Sequence, residues 1–306
     1  MTTIEELRPL LLTTDQLIGR GLSSQGLTRA VASGDLIRLR PGYYVEGAAR
    51  ELQRPARHLL SVLAADAALD SPVFSHSSAA LIHDLPDWGL QLGKVCITEN
   101  GEPSRSRAST RARIHTRAIA ENELTSINGL LVTDAERTVA DLAMTLDRDT
   151  AVVSADAAVA GGLVTSDSLS TTLERMAGRA GIKRARNSLS LVDGKSESVA
   201  ETLSRLIFAD FGLPAPELQV EIYDDDGNFV ARPDFLWREF GLVGECDGFG
   251  KYFDGVDMAE TRRRLAREKD RDAGLMALGY RVFHWRWKDL ENPRLLAERL
   301  RRLLTR

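Results

Sequence analysis

Cysteine is nearly missing from this sequence: there are two in 306 residues, Cys96 and Cys246, far apart and each inside an apolar run. That excludes a disulfide framework and any zinc site built on paired-cysteine spacing. Two buried free thiols in a reducing compartment are the expectation. Long apolar runs are missing too. None approaches the ~20 residues a bilayer-spanning helix requires, and the first residues lack the basic and apolar regions of a signal peptide. A soluble, cytoplasmic protein with no membrane partner is therefore expected. An excess of one charge is also absent: 40 Lys and Arg stand against 44 Asp and Glu, a net charge of −4. Any nucleic-acid contact must then come from local basic patches rather than from global charge.

What is present is ordinary globular material, 43% hydrophobic and 27% charged, so disorder is not the default. No internal repeats or low-complexity stretches appear, and 306 residues suit two or three domains. The expected class is a multidomain α+β or α/β protein with boundaries at 1–49, 50–194 and 195–306.

The first segment predicts a short helix over 4–12 and a second over 15–19, capped by Thr13 or Thr14. A third starts at Ser23 or Ser24, with Leu27, Ala30 and Val31 on one buried face. Ser33-Gly34-Asp35 ends it, and two extended runs follow around Pro41-Gly42, a hairpin signal. Helix, turn, helix, hairpin is the layout of a winged helix-turn-helix. Gln25, Thr28 and Arg29 fall on the exposed side of the third helix, where side chains reach base edges. Arg38 and Arg40 alternate on the wing strand, which suits phosphate or the minor groove. The same residues would be merely solvated on a winged helix that binds protein.

The middle segment predicts helices over 55–70 and 77–82. Strands are expected over 95–98 and 112–115, with an Arg/Ser-rich loop over 102–111 between them. Thr133-Asp-Ala-Glu136 has the spacing of a capping box opening a helix to about Leu146, and further helices are expected over 151–160 and 166–177. Nothing here has catalytic spacing. His76 and His83 lack a third ligand in register, so they are expected as capping or core residues.

The third segment predicts a helix over 196–211, strands over 218–223, 229–237 and 242–247, a charged helix over 258–278, a strand over 280–285 and a closing helix over 291–304. This αβββαβ order is a three-strand meander with a helical crossover to one more strand. Asp234 falls on the second strand, and Glu245 and Asp247 on the third, where alternation puts both on one face with Cys246 opposite. Three carboxylates on adjacent strands repel unless a divalent cation lies among them, and oxygen ligands with waters suit Mg²⁺ or Mn²⁺. Glu201, on the preceding helix, would supply a fourth oxygen or hold a metal-bound water. Lys251 is the nearest cation for orienting that water, and His284 on the last strand is the alternative. The bland alternative is a set of solvated or salt-bridged acids at strand ends. Against it, strand interiors disfavour Asp and Glu, yet these sit within apolar runs. The basic stretch 262–269, with Arg263 and Arg267, is either a phosphate-contacting face or a solvated helix face with i,i+4 pairs. Trp285 and Trp287 are expected as core and strand residues.

Residues 195–304 resemble the very-short-patch-repair-like endonuclease domains of the PD-(D/E)XK superfamily. The resemblance rests on Ser198-Val-Ala-Glu201, Leu213-Pro-Ala-Pro-Glu-Leu-Gln219, Arg232-Pro-Asp-Phe235, Glu245-Cys-Asp-Gly248, Glu268-Lys-Asp-Arg271 and Gly279-Tyr-Arg-Val282. It implies a restriction-endonuclease-like core and a Mg²⁺-dependent endodeoxyribonuclease with Asp234 and Glu245 as metal ligands, Asp247 as an auxiliary acid and Glu201 as the helix-borne acid. Such domains often carry a His shortly after the Asp-Gly, where this chain has Lys251-Tyr252, so the water-positioning role stays open. The first segment resembles the N-terminal domain of AbiEi-type antitoxins, the transcriptional autorepressors of type IV toxin–antitoxin systems. Gly21-Leu-Ser23 and the run from Arg29 to Tyr44 carry it. Ser75-His-Ser-Ser-Ala-Ala80 and Arg137-Thr-Val-Ala-Asp-Leu-Ala143 also recur in such chains. That resemblance implies DNA and a cognate toxin protein as partners. Three functions therefore compete: a DNA-binding nuclease, a non-enzymatic regulator or antitoxin that keeps the nuclease fold for binding, and a repair accessory that recognises damage without cutting.

Overall fold

The computed structural model describes residues 2–99, 112–247 and 258–305, a mixed α+β chain. It divides into two compact units, Met1–Ser154 with Gly161–Leu191, and Ala155–Ala160 with Val192–Arg306. The Arg/Ser-rich stretch 102–111 and Lys251 lie outside the described residues.

The first unit opens with α1 (Ile4–Leu7), capped by Thr3 and Glu6 in a reciprocal box. It is shorter than expected, giving way to a single 3-10 turn, Arg8–Leu10, where Pro9 lacks the N–H a longer helix would use. β1 (Leu12–Thr13) follows, and Thr13 then caps α2 (Thr14–Gly19) by accepting the Gln16 N–H. Ser23 caps α3 (Ser24–Ser33), which stops at Gly34, whose φ of +89° suits only glycine comfortably. β2 (Leu36–Arg40) and β3 (Tyr43–Glu46) form the hairpin, and the sheet order is β1-β3-β2. Leu12, Leu17, Leu27, Leu36 and Tyr44 close this core.

The same unit continues through α4 (Arg54–Ala68), β4 (Val73–Phe74), α5 (His76–Ile82), β5 (Val95–Glu99), β6 (Ala112–Thr116), β7 (Leu124–Ile127), β8 (Leu130–Thr133), α6 (Ala135–Thr145), the start of α7 (Arg148–Ala160, which belongs to the second unit from Ala155 on), α8 (Ser166–Arg175) and α9 (Ile182–Leu189). The strands form one mixed sheet in the order β6-β5-β4-β8-β7. Thr133 does not cap α6, contrary to the capping-box expectation. It ends β8, and Asp134 caps instead, its Oδ1 accepting the Arg137 N–H at 2.7 Å. The β7–β8 hairpin turns at Asn128-Gly129, with φ of +50° and +78°.

The second unit comprises α10 (Val199–Asp210), β9 (Glu217–Leu218), β10 (Ile222–Tyr223), β11 (Phe229–Ala231), β12 (Phe235–Trp237), β13 (Leu242–Asp247), α11 (Met258–Ala277), β14 (Arg281–Arg286), α12 (Trp287–Leu290) and α13 (Pro293–Leu303). The strands expected over 218–223 and 229–237 are each broken in two. Gln219 at φ +54° bends the first, and Pro233 lacks the ladder donor in the second. β10 and β11 thereby form a separate hairpin, while the main sheet runs β14-β13-β12-β9. Neighbours in it are antiparallel except β13 and β14, which are parallel across the α11 crossover.

One face of this sheet, with Leu218, Phe235, Trp237, Cys246 and Trp285, packs on Phe208, Leu296 and Leu300 of α10 and α13. The other presents Leu236 and Val243 to Leu275 of α11. Gly244 is required on the first face, because a Cβ there would lie 2.8 Å from the Trp285 ring and 2.9 Å from the Trp237 ring. The buried Trp285 indole N–H donates to Ser204 Oγ at 2.8 Å, giving its polar end a partner. Asp156, in the last turns of α7, accepts from Thr202 and Arg205 of α10 at 2.8 Å each.

Candidate functional site

The pairing of the second unit's sheet brings four polar residues into one row. Phe235 pairs with Gly244 on β13 and with Leu218 on β9, so one step further Asp234 comes opposite Glu245 and Gln219 opposite Asp234. The Gln219 N–H donates to Asp234 O at 3.3 Å, continuing that register. Glu245 in turn pairs with His284 on β14. Paired residues project to one face, so Glu245 and His284 lie on the α11 side of the sheet, with Asp247 two residues along β13; Asp234 immediately precedes β12, and its carboxylate turns to the Cys246 N–H.

Hydrogen bonds hold these acids in place. Asp234 Oδ2 accepts the Cys246 N–H at 2.9 Å. This side chain supplies the acceptor just before β12 begins, where Pro233 interrupts the strand. Gln219 Nε2 lies 3.0 Å from Glu201 Oε2 and 3.4 Å from Asp234 Oδ1, bridging the helix acid to the strand acid. Glu201 also accepts from Ser198 Oγ at 2.7 Å and from the Glu197 N–H at 2.9 Å. Burial raises the Glu201 carboxyl above its usual range, and the nearby Asp234 charge adds to the shift against the bond from Ser198. The Cys246 thiol is pushed up to about 12, chiefly by burial, with Asp234, Glu201 and Asp247 reinforcing it. The field of all three acids therefore converges on this point of β13.

Glu245 is only 7% exposed, and its Oε2 lies 3.5 Å from Arg271 of α11. One residue on, Asp272 Oδ2 lies 3.0 Å from His284 Nε2. Neither Arg271 nor Asp272 drew notice as a site residue in the sequence. Both come from the inward turn of a helix whose basic stretch reads either as a phosphate-contacting face or as a solvated one. Arg263 and Arg267 are exposed on α11, two turns and one turn before Arg271. Among the described residues no three His, Cys, Asp or Glu side chains are grouped to hold a metal ion on their own. The opposed pair Asp234 and Glu245 still suits a hard cation that keeps most of its waters and needs only one or two carboxylates.

In the first unit Gln25, Thr28 and Arg29 are exposed on α3. Arg38 is exposed and Arg40 half-buried, and the pairing of β2 with β3 slips between them. Both line a cleft of about 310 Å³ shared with His58 and Ser61 of α4 and with Lys94. The hairpin is thus backed by α4 rather than standing clear, and Tyr43 OH donates to Ala67 O at 2.6 Å.

Residues 4–47 match a family model described as "Transcriptional regulator, AbiEi antitoxin". Over 287 residues the chain is 29% identical to the uncharacterized proteins MT2308 and Rv2248 of two Mycobacterium tuberculosis strains, covering 93% of this chain and 98% of each relative. Among solved structures, the RV2827C protein of Mycobacterium tuberculosis matches with a TM-score of 0.41 and 15% identity, over 73% of this chain and 87% of that one. No described helix is long and apolar enough to cross a membrane.

Proposed function

We propose that the chain is a DNA-binding protein whose first residues form a winged helix and whose second unit is a Mg²⁺- or Mn²⁺-dependent endonuclease. The observation that carries the nuclease half is the bond from the Cys246 N–H, next to Glu245, to the Asp234 carboxylate, with Glu201 tied to Asp234 through Gln219. Asp234 and Glu245 would hold the ion, and Asp247 would act as the auxiliary acid. A bound ion supplies an activated water and neutralises the charge that develops on the phosphate. Cys246 N–H and Gln219 Nε2 each hold one Asp234 oxygen, which fixes the carboxylate that would meet the ion. Glu201, with its raised proton affinity, is suited to hold or pass a proton. Arg263, Arg267 and Arg271 line one flank of α11 and would contact phosphates; Lys251 is a further cation for the same task.

The DNA-binding half is supported by the family match over 4–47 and by the exposed polar side of α3, with Gln25, Thr28 and Arg29 for base edges and phosphates. That match also favours the second reading, a transcriptional regulator or antitoxin that binds DNA and a toxin partner and does not cut. The ion pair of Glu245 with Arg271 fits this alternative, since it already satisfies part of the charge a metal would meet. Supercoiled plasmid incubated with the chain and Mg²⁺ or Mn²⁺, beside Asp234→Ala, separates the two. Metal-dependent nicking by the wild type alone is expected. DNA binding without nicking by either protein would leave the regulator.

A further inference from the structure

The first unit carries a second polar cluster, which the proposed function leaves unused. Arg113, His115 and Arg117 alternate along and just beyond β6, sharing one face. His76 opens α5 at φ +50°, a conformation that non-glycine side chains adopt only under constraint and that recurs at functional sites. Its ring stacks on His115 with centroids 3.5 Å apart and planes 14° apart. Arg137, 0% exposed, donates to Asp141 Oδ2 at 2.9 Å, to Glu123 Oε2 at 2.7 Å and to Ala118 O at 3.2 Å. Arg179 donates to the same Ala118 carbonyl at 3.3 Å, so the two guanidiniums are neighbours.

The Ser75 hydroxyl lies between Thr98 and His76. Thr98 Oγ1 donates to Ser75 Oγ at 2.7 Å, and Ser75 Oγ lies 3.0 Å from His76 Nδ1. Where Ser75 gives its own proton to Nδ1, the ring proton sits on Nε2. His76 Nε2 is buried and meets no partner among the described residues, and the same holds for Arg137 Nη2 and Arg179 Nη1. Asp141 Oδ1 is a buried acceptor with no donor among the described residues, and Nε2 of the stacked His115 has no partner there either. Buried polar atoms are almost always satisfied, so five in one place point to a missing partner. Around them Arg113, Arg117, Arg137 and Arg179 outnumber Glu123 and Asp141 by two charges. Burial foremost, and the nearby arginines, hold the His76 ring neutral, down to about 3.

Three donors and a positive surplus ask for an oxyanion, and one lone carboxylate oxygen asks for that anion to carry a proton. We propose that this cluster binds a phosphate group with an ionisable hydroxyl, as in hydrogenphosphate or a phosphate monoester. His76 Nε2, Arg137 Nη2 and Arg179 Nη1 donate to it, and Asp141 Oδ1 accepts its hydroxyl. The half-buried His115, Arg117 and Arg179 mark the side on which it enters.

Calorimetric titration of the full chain with inorganic phosphate, AMP and sulfate at matched ionic strength tests this. Saturable binding of phosphate or AMP is expected, with sulfate at least about tenfold weaker because it brings no proton for Asp141. AMP binding without phosphate binding would assign the anion to a nucleotide; binding of both would assign it to the free anion. Arg179→Gln is expected to weaken either by about tenfold while the unliganded melting temperature stays put, since Arg179 lies partly in solvent. If that variant does not fold, the ¹⁵N resonance of His76 Nε2 in the wild type serves instead, moving with phosphate and not with sulfate. No binding at ~10 mM, where Kd would lie above the millimolar range, overturns the proposal. So do sulfate binding as tight as phosphate, an unmoved His76 resonance, or unchanged affinity in Arg179→Gln.

Discussion

Asp234 accepts the backbone N–H of Cys246 at 2.9 Å, on the strand that carries the opposed Glu245. The carboxylate thus has a structural task beside any chemical one, and two substitutions separate them. Asp234→Ala leaves a buried N–H unpaired and should lower stability by about 1–3 kcal/mol. Asp234→Asn keeps an oxygen for that N–H and should stay within about 1 kcal/mol of wild type. Both should lose Mn²⁺ binding in calorimetry. Equal urea midpoints for Asp234→Ala and wild type would show that the Cys246 bond does not matter.

Gly244→Ala should destabilise the second unit. The added Cβ would sit 2.8 Å from one tryptophan ring and 2.9 Å from another, and both rings are buried, Trp285 against Phe235 and Phe208. Overpacking of this kind costs about 1–3 kcal/mol. The readout is tryptophan fluorescence during urea unfolding, and an unchanged midpoint would mean that the rings yield freely.

His76 and His115 should make the first unit acid-sensitive. Both are depressed to about 3, chiefly by burial, whereas an unfolded histidine titrates near 6.5. Between those values the unfolded chain binds a proton that the folded ring refuses. The stabilisation is therefore complete above pH 6.5 and shrinks as pH falls toward 3, by about 1.4 kcal/mol per pH unit for the 3%-exposed His76. In NMR titrations, the His76 and His115 ring signals should hold their neutral positions from pH 8 down to 5. A midpoint near 6.5 for either would remove the basis of the expectation.

Much of the fold could be read in the sequence because its signals are local. Thr13 and Ser23 caps, the Gly34 stop and the alternation of 242–247 each depend on neighbours a few residues away. The β7–β8 hairpin at Asn128-Gly129 was not expected from the sequence, because the runs beside the turn are four residues each and do not alternate clearly. The breaks at Gln219 and Pro233 were harder to see, since glutamine gives no hint of a positive φ. For the candidate site, the carboxylates stood out as acids within apolar runs. Gln219, Arg271 and Asp272 did not, because a glutamine bridge and a helix's inward charges become visible only once β9, β12 and α11 are assembled. The unpartnered donors of His76, Arg137 and Arg179 lie far apart in the chain, and no spacing rule joins them.

Arg29 on the third helix and Arg40 on the wing are both expected to contact DNA, yet their surroundings differ, and so should their variants. Arg29 is exposed on α3, beside Gln25 and Thr28, where the side chain is free to reach a phosphate. Arg40 is half-buried in the cleft with His58 and Lys94, where it is held by the protein. Each phosphate contact releases counterions, so the slope of log affinity against log salt falls by about 0.9 per contact on duplex DNA. Arg29→Ala should lower affinity across all sequences and reduce the slope by about one. Arg40→Ala should leave the slope within error and lower the melting temperature instead, because it removes a side chain packed between the β2–β3 hairpin and α4. Gln25→Ala and Thr28→Ala should leave the slope alone and relax sequence preference by about 1–3 kcal/mol at one base pair each. Anisotropy titrations between 50 and 200 mM salt, a range over which phosphate contacts show strongly, measure all of these. If the slope falls for Arg40→Ala and not for Arg29→Ala, DNA lies along the hairpin and its cleft, and α3 is not the element that meets it.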